Sequence, residues 1–485
     1  MPIKDITIVG AGPSGLLLAL LLLRNPNNPS TPPPRITIIE ALDLRGDTRP
    51  RAAYYGPSAV PEMMRAGLMD EIKRRGYVPR WMTWKKLWSA ERAAAFKGTD
   101  RKAEGGAELY GMLDLDCGWD RQACLPLDAL SRLIREEVEA EVARGRGECE
   151  IRWREKVVAI GEEGERAWVD AEAADEEDTQ GQGGDKTRKR YYSDYVVGCD
   201  GASSTVRRLM FGENNFPGMT WDKQIIATNV HYDFSRWGYH DIQFFIHPEH
   251  WHMVARLSAG EYWRVSYGER SGLSHDELLE RLPAKFAAMF PGHPSPSEYK
   301  VTGFSPYKVH QRLAPAMRRG RFLLAADAGH VCNPFGGLGL TGGIVDVGGL
   351  YDCLAGIHEG LADDAILDKY SDVRRQKYIE VTDPVSRENI RRLFDQDPEQ
   401  AGEKDEFIKL IRRAATDEKT REELNDFMRA IKYDFTQHYN KRSSSSKHDI
   451  IPLTNPTRQM SDEVASFPTS PFSPTSAYAS QQQQQ

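Results

Sequence analysis

The sequence predicts an α/β protein in which a Rossmann-like dinucleotide-binding domain carries an inserted antiparallel-sheet domain and is followed by a helical C-terminal region. Three observations support this fold class. A strand, a glycine turn, a helix and a second strand open the chain; polar and apolar residues alternate after residue 223; and helical periodicity dominates from about 344 to 438. The length of 485 residues indicates two or three domains.

The N-terminal segment predicts a βαβ unit. Residues 3–9 (IKDITIV) read as a buried strand, and the apolar helix that follows ends near Arg24. Asparagines and prolines between residues 25 and 34 cannot continue that helix, and residues 35–40 (RITIIE) form the second strand. This order implies parallel strands joined by a right-handed crossover.

The turn of this unit carries the pattern Gly10-x-Gly12-x-x-Gly15. Gly10 permits a tight turn, Gly12 allows the backbone to approach a pyrophosphate, and Gly15 allows close packing of helix on strand. Glu40 ends the second strand, where a carboxylate can accept hydrogen bonds from ribose hydroxyls. The motif predicts a bound dinucleotide without separating FAD from NAD.

Further elements are predicted along the chain. Residues 127–142 have helical periodicity, and a polar, glycine-rich stretch from 173 to 190 reads as a surface excursion. The remaining predicted strands are 151–158, 166–171, 195–199, 251–257, 262–267 and 321–326. In the inserted sheet, one strand is predicted to have two faces. Residues 225, 227, 229, 231 and 233 lie on one face, and residues 226, 228, 230, 232 and 234 lie on the other.

These patterns divide the chain into seven parts. The nucleotide-binding domain comprises residues 1–80, 121–215 and 306–395, a substrate-side segment comprises 81–120, and the sheet domain comprises 216–305. Helices occupy 396–440. The last part, 441–485, is rich in Ser, Pro, Thr and Gln and is expected to be disordered.

Two later motifs follow predicted strands. Asp200 and Gly201 form either a ligand-binding turn or a structural Asp-Gly turn in which Ser204 or Thr205 caps the next helix. Asp327 ends a strand, where it can hold a ribityl or ribose hydroxyl. The glycine-rich loop that follows leads into a helix, and the N-terminus of that helix would place positive potential beside a reduced flavin. Its relevant residues are Pro334, Gly337, Gly339 and Leu340.

The three motifs, in this order, resemble those of the class A FAD-dependent monooxygenases of the para-hydroxybenzoate hydroxylase type. The resemblance covers about residues 3 to 390, and the sequence of residues 330–350 is similar to that of fungal secondary-metabolite members of the family. Two positions depart from the family pattern. Ala326 stands where the family has glycine before Asp327. The family also has a Gln or Arg after the substrate-side segment, and Arg121 is the candidate for that place here.

The resemblance implies which residues bind FAD. They are Gly10, Gly12, Gly15, Glu40, Arg51, Arg121, Asp200, Asp327, Pro334, Gly337, Gly339 and Leu340. It also implies that NADPH reduces FAD and that O2 then forms a C4a-hydroperoxide. This species would hydroxylate or epoxidise an electron-rich aromatic or alkene secondary-metabolite intermediate.

The substrate-activating base is expected on the inserted sheet. A phenol gains reactivity when a base removes its proton, and His231 and Tyr232 are the first candidates, with His252 and Arg264 behind them. Because His231 and Tyr232 lie on opposite faces of one strand, at most one of them enters a given pocket. Tyr54 and Tyr55, beside Arg51, are candidates to lie at the edge of the flavin ring.

Three other functions remain as alternatives. An FAD-dependent oxidase or dehydrogenase would share the fold without oxygen transfer. A flavin-dependent halogenase is disfavoured because its WxWxIP signature is absent, and a non-enzymatic NAD-binding sensor would purify colourless.

Bulk properties exclude several classes. The net charge is −7 and the basic residues do not cluster, which argues against nucleic acid as a partner. Six cysteines without a CxxC pair, and histidines 247, 250 and 252 without suitable partners, argue against a metal site. The apolar run 16–23 is too short to cross a membrane. We expect a cytoplasmic monomer or homodimer.

Overall fold

The computed structural model describes residues 2–25, 32–43, 49–87, 107–116, 118–174 and 188–440. The predicted disordered tail, 441–485, and most of the predicted surface excursion lie outside these ranges. Within them the chain forms a mixed α/β structure, as the sequence predicts.

The strands, in chain order, are β1 Asp5–Val9, β2 Arg35–Glu40, β3 Tyr54–Tyr55, β4 Trp81–Leu87, β5 Ala107–Asp114, β6 Ala123–Cys124, β7 Cys149–Trp153, β8 Glu155–Glu163, β9 Arg166–Ala173, β10 Lys189–Ser193, β11 Tyr195–Gly198, β12 Gly218–His231, β13 Ile242–Ile246, β14 His252–Arg256, β15 Tyr262–Glu269, β16 Lys300–Leu313, β17 Arg318–Arg319, β18 Phe322–Leu324 and β19 His330–Val331.

The α-helices, in chain order, are α1 Pro13–Leu23, α2 Val60–Arg65, α3 Met69–Arg75, α4 Leu127–Ala143, α5 Thr205–Phe211, α6 His275–Met289, α7 Leu338–His358, α8 Ile366–Lys377, α9 Asp383–Phe394, α10 Pro398–Lys404, α11 Glu406–Ala414 and α12 Glu418–Met428. A π-helical turn, Tyr378–Thr382, joins α8 to α9.

The nucleotide-binding domain is built on a six-stranded sheet of order β17-β18-β11-β1-β2-β7. All its pairings are parallel except that of β17 with β18. Every residue of β1 and β11 is buried, because helices and the three-stranded sheet β10-β9-β8 together cover the parallel strands. The N-terminal βαβ unit is therefore confirmed, with β2 at the predicted bounds.

The second large sheet has eight strands in the order β19-β16-β12-β15-β14-β13-β4-β5. It is antiparallel apart from the β13–β4 pair. Successive side chains alternate between its faces, so that one face packs on α6 while the other faces the nucleotide-binding domain. Strands β4 and β5 of this sheet precede the inserted segment in sequence, so the sheet is not built from the inserted segment alone.

Two predicted boundaries differ from the structure in ways that change the architecture. The predicted strand 151–158 is two strands, β7 in the parallel sheet and β8 in a separate three-stranded sheet. The chain turns between them at Arg154, whose φ of 60° lies in the left-handed region. The predicted domain border between 305 and 306 falls inside β16, which continues to Leu313.

Helix α7 is the long helix of the core. It has 21 residues and a mean hydropathy of 1.2, which satisfies the length and composition of a membrane-crossing helix, but 83% of that apolar stretch is buried within the protein. Its N-terminus faces the second large sheet, and this placement brings the two halves of the site together.

Candidate active site

A cavity of about 930 Å³ lies between the carboxyl ends of the parallel strands and the inner face of the eight-stranded sheet. Ligands of α/β proteins bind at these strand ends, and pockets commonly form where two domains meet. The three sequence motifs all contribute lining residues, although they are separated by more than 100 residues in the chain.

The first wall of the cavity is the glycine turn before α1. Gly10 has a φ of +106°, and a Cβ there would lie 2.5 Å from the carbonyl oxygen of Cys199. A Cβ on Gly15 would lie 2.1 Å from the carbonyl oxygen of Gly10, so Gly15 serves helix packing and does not line the cavity. Gly12, in contrast, has nothing within 4 Å of its Cβ position and faces open space.

Glu40 completes this wall. One of its carboxylate oxygens accepts a hydrogen bond from the backbone N–H of Ala11 at 2.7 Å, and the other accepts one from Leu42 at 2.8 Å. The side chain therefore fixes the glycine turn, and it lines the cavity where a ribose hydroxyl could add a further hydrogen bond.

The second wall is the turn that follows β18. Ala326 has a φ of 57°, a conformation that costs free energy for any residue but glycine, and it stands where the resembled family has glycine. The next side chain, Asp327, is accessible from the cavity. Desolvation by the surrounding protein raises the pKa of its carboxyl, against the opposing charges of His330 and Arg51.

The third wall is the loop from Pro334 into α7. Gly337, at a φ of 65°, is the N-cap residue of α7, and no side chain caps the helix there. Pro334, Gly337, Gly339 and Leu340 all line the cavity. The unpaired N–H groups and the positive end of the helix dipole are thus directed at a ligand.

Asp200 lines the cavity but also has a structural role. Its carboxylate accepts hydrogen bonds from the backbone N–H groups of Thr205 at 2.7 Å and Val206 at 3.1 Å. Ser204 caps α5 by accepting from Arg207 N–H at 3.0 Å. The structure therefore contains the capped turn that the sequence offered as the alternative, and it places this turn at the cavity edge.

Arg51 lies in the cavity wall as expected, whereas Arg121 does not. The Arg121 guanidinium pairs with Asp116 at 3.3 Å, and the neighbouring residue Gln122 lines the cavity instead. Within this segment Gln122, and not Arg121, is therefore placed to contact a ligand in the cavity. Tyr54 lines the cavity, while Tyr55 is buried outside it.

The positions of His231 and Tyr232 correct the expectation that either acts as the base. His231 is exposed at the end of β12, stacked on Tyr262 with ring centroids 4.8 Å apart. Tyr232 lies on the opposite face of the sheet and donates its hydroxyl to the carbonyl of Pro291 at 2.5 Å. Neither lines the cavity. His252, also on that opposite face, is fully buried against Phe245.

The inner face of the sheet supplies the other half of the cavity. Strand registers align the same face across neighbouring strands, as in the pairing of Ala227 with Ser266 and of Asn229 with Arg264. The side chains of this face that line the cavity include Met82, Trp84, Leu113, Ala227, Ile242, Phe244, Met253, Ala255, Arg264, Ser266 and Tyr307. The wall is largely apolar and aromatic, with Arg264, Ser266 and Tyr307 as polar groups.

The residues present fit FAD. Open space at Gly12, two helix N-termini without capping side chains, and an accessible carboxylate at Asp327 are the groups that a pyrophosphate, a ring carbonyl and a ribityl hydroxyl require. Among the described residues, no group of three or more His, Cys, Asp or Glu side chains is arranged to hold a metal ion.

Sequence reasoning missed several lining residues. Glu155 and Lys156 reach the cavity from β8, and Trp84 reaches it from β4. Tyr307 lies on β16, which no sequence motif marked. Only the period-two alternation within the sheet strands could have indicated them, because residues of one parity share a face.

Comparison with known proteins identifies the family of this chain. Residues 4–384 match the model of the FAD binding domain family. The para-nitrophenol 4-monooxygenase of Pseudomonas sp. (strain WBC-3) is 33% identical over 412 residues, which are 84% of this chain and 91% of that protein. The 6-hydroxy-3-succinoylpyridine 3-monooxygenase of Pseudomonas putida (strain DSM 28022 / S16) is 32% identical over 396 residues, 81% of this chain and 90% of that protein.

A solved structure agrees with these sequence relatives. The crystal structure of p-nitrophenol 4-monooxygenase from Pseudomonas putida DLL-E4 superposes with a TM-score of 0.74 at 31% identity, covering 90% of this chain and all of that one. This chain therefore belongs to the FAD-binding-domain family of class A flavoprotein monooxygenases and is an FAD-dependent monooxygenase.

Proposed function

We propose that this protein hydroxylates a small phenol-type ring, bound as its anion beside Arg264, with NADPH as the reductant. The observation that carries the proposal is a buried guanidinium that faces the cavity without an opposite charge. Arg264 is 7% exposed. In the described part of the chain, no carboxylate forms an ion pair with it.

The hydrogen bonds of Arg264 go to neutral oxygens. Its Nε donates to Oδ1 of Asn229 at 2.6 Å, and its Nη1 donates to the backbone carbonyl of Arg51. A buried charge with only neutral partners is unfavourable unless a counter-charge arrives. An anionic substrate supplies that counter-charge, and an arginine is the residue that recognises a planar oxygen anion well.

The neighbouring titratable side chains do not supply the charge. Burial raises the pKa of Tyr307 to about 12 and that of the Cys124 thiol to about 12, and it raises the pKa of Tyr54 well above its usual value. All three groups are therefore neutral at physiological pH. Tyr307 keeps a hydroxyl that can hydrogen-bond a phenolate oxygen.

These residues define what the protein contributes to the reaction. Arg264 favours the ionised ring, whose higher electron density makes a ring carbon more reactive toward oxygen. Trp84, Phe244 and Phe335 form an apolar wall that excludes water from the ring. FAD, when bound, supplies the redox and oxygen-activating chemistry. NADPH is proposed because the resemblance to class A monooxygenases implies it.

The named relatives favour this substrate class over others. Their names specify a nitrophenol and a hydroxypyridine, which are small acidic rings. We therefore propose ring hydroxylation rather than epoxidation of an alkene or conversion of a secondary-metabolite intermediate. A cytoplasmic location, in which NADPH is available, is part of the same proposal.

The test uses the purified holoenzyme with 4-nitrophenol, at a pH at which this phenol is ionised, and with neutral 4-nitroaniline of similar shape. We expect NADPH consumption coupled to a hydroxylated product from the phenol. NADPH oxidation that yields hydrogen peroxide and no oxygenated product with any phenol tested would instead establish the oxidase alternative.

Arg264→Gln provides the mechanistic control. We expect it to weaken 4-nitrophenolate binding to the oxidised enzyme at least about tenfold, because a charge-assisted hydrogen bond is lost, and to leave 4-nitroaniline binding little changed. Arg256→Gln is the matched variant: it lies on the adjacent strand β14, approaches Asp241 at 3.8 Å and does not line the cavity. Equal losses in both variants would contradict the proposal.

A further inference from the structure

The end of the cavity opposite Arg264 is closed by helices that follow the residues matched by the FAD binding domain model. The family match ends at residue 384. Lining residues that follow it are Val385, Asn389, Phe407, Leu424, Phe427, Met428 and Ile431. We call the segment 398–431, which comprises α10 to α12 and the residues after them, the roof.

Phe407 is a roof side chain that both lines the cavity and contacts an aromatic ring of the sheet. Its ring stands edge-on to that of Trp84, with centroids 5.2 Å apart, and Trp84 stacks on Phe244 with centroids 5.5 Å apart. Trp84 and Phe244 belong to β4 and β13, whereas Arg264 belongs to β15. Three strand spacings separate β15 from β4, which is about 14 Å across the sheet.

The surface that the roof presents to the cavity is apolar. Phe407, Leu424, Phe427, Met428 and Ile431 all carry uncharged, non-polar side chains, and among the described residues no charged side chain of the roof lines the cavity. A ring anchored by its anion at Arg264 would therefore direct the substituent on its far side toward an apolar surface of fixed position.

Arginines hold the roof in place. The Arg429 guanidinium makes two hydrogen bonds to the carboxylate of Asp120, at 2.6 and 2.7 Å, and Asp120 is 1% exposed. Arg412 donates to the backbone carbonyls of Tyr110 at 2.5 Å and Gly402 at 2.6 Å. Arg374 donates to the carbonyl of Ile431 at 2.6 Å. Charge-assisted hydrogen bonds of this kind, made at three places along the segment, restrict its movement.

We propose that the roof selects the substrate: Phe407 limits the size of the apolar substituent that the ring carries on the side away from its anion, and Arg429 positions the roof for this role. The inference rests on the proposed function for the orientation of the ring. It assigns specificity to helices that follow the matched domain, so relatives with other side chains at the position of Phe407 would accept different rings.

The test measures binding rather than turnover. Dissociation constants of 4-methyl-2-nitrophenol and 4-tert-butyl-2-nitrophenol, at a pH at which both are ionised, are determined for the oxidised holoenzyme by titration calorimetry. Phe407→Ala should shift the ratio of the two constants at least about tenfold toward the bulkier phenol, since each added methylene in a tight pocket is discriminated about 10- to 200-fold. An unchanged ratio would overturn the proposal.

Phe394→Ala is the matched control. Phe394 packs at the edge of the same apolar cluster, against Trp221 and Trp251, and does not line the cavity. This variant should leave the ratio unchanged, and an equal shift in both variants would overturn the assignment to Phe407. If the ratio shifts as expected but no phenol is hydroxylated, the proposed function fails while the role of the roof stands.

Arg429 is tested as a positioning residue. Arg429→Ala should raise the dissociation constants of both phenols while FAD affinity stays unchanged, and Arg429→Lys should restore part of the loss because it retains the charge near Asp120. Parallel losses of phenol and FAD affinity in Arg429→Ala would show a general structural role and contradict the positioning role.

Discussion

The carboxylate of Asp346, on helix α7, accepts a hydrogen bond from the backbone N–H of Ala326 at 3.0 Å. Asp346 is completely buried, and the same carboxylate meets His330 Nε2 at 2.8 Å and Arg374 Nε at 2.6 Å. Because Arg374 also holds Ile431 in the roof, one buried carboxylate connects the Asp327 turn to the segment that closes the cavity.

Replacement of Asp346 by alanine should destabilise the protein by about 3–5 kcal/mol, because it leaves the buried Arg374 guanidinium without its counter-charge. FAD affinity should fall as well, since the turn at Ala326 loses a hydrogen bond. Urea unfolding and flavin titration measure the two effects. Asp368→Ala, which removes an exposed partner of Arg318, should cost no more than about 1 kcal/mol.

Ala326→Gly should stabilise the protein by about 1 kcal/mol, because a Cβ at a φ of 57° is strained. Ala328→Gly, two residues later at a buried position with ordinary φ, should destabilise it, because glycine gains more freedom on unfolding. Thermal unfolding of both variants as holoenzymes provides the measurement. Destabilisation by Ala326→Gly would mean that the turn is not strained.

Gly12→Asp should abolish FAD retention while leaving the apoprotein folded, because nothing lies within 4 Å of the Cβ position and the new carboxylate would meet the pyrophosphate. Gly15→Ala should instead impair folding, since its Cβ would lie 2.1 Å from the Gly10 carbonyl oxygen. Flavin absorbance and circular dichroism separate these outcomes. A yellow Gly12→Asp holoenzyme would refute the placement of the pyrophosphate.

His252 should make the stability pH-dependent. Burial lowers its pKa to about 3, so the folded protein binds its proton less readily than the unfolded chain does. The free energy of unfolding therefore falls as pH drops below the usual histidine value of about 6.5 and continues to fall toward pH 3, by up to about 1.4 kcal/mol per pH unit. His252→Phe should reduce this slope between pH 7 and 5. An identical slope in the variant would contradict the assignment.

The sequence by itself determined the nucleotide-binding half of the protein. The glycine turn, Asp327 and the loop from Pro334 into α7 were readable because each needs particular residues at short spacing beside a strand or a helix N-terminus. Local backbone geometry requires those residues, and local requirements leave a local pattern. The fold class followed from the same short-range periodicities.

Only the tertiary structure decided the substrate half. His231 and Tyr232 have suitable chemistry, but His231 lies at the end of β12 beyond the cavity. Tyr232 points to the opposite face of the sheet. Arg264, Tyr307 and Phe407 line one cavity because strand register and helix docking align residues far apart in sequence. Such contacts depend on long-range packing, which leaves no signature at any one place in the chain.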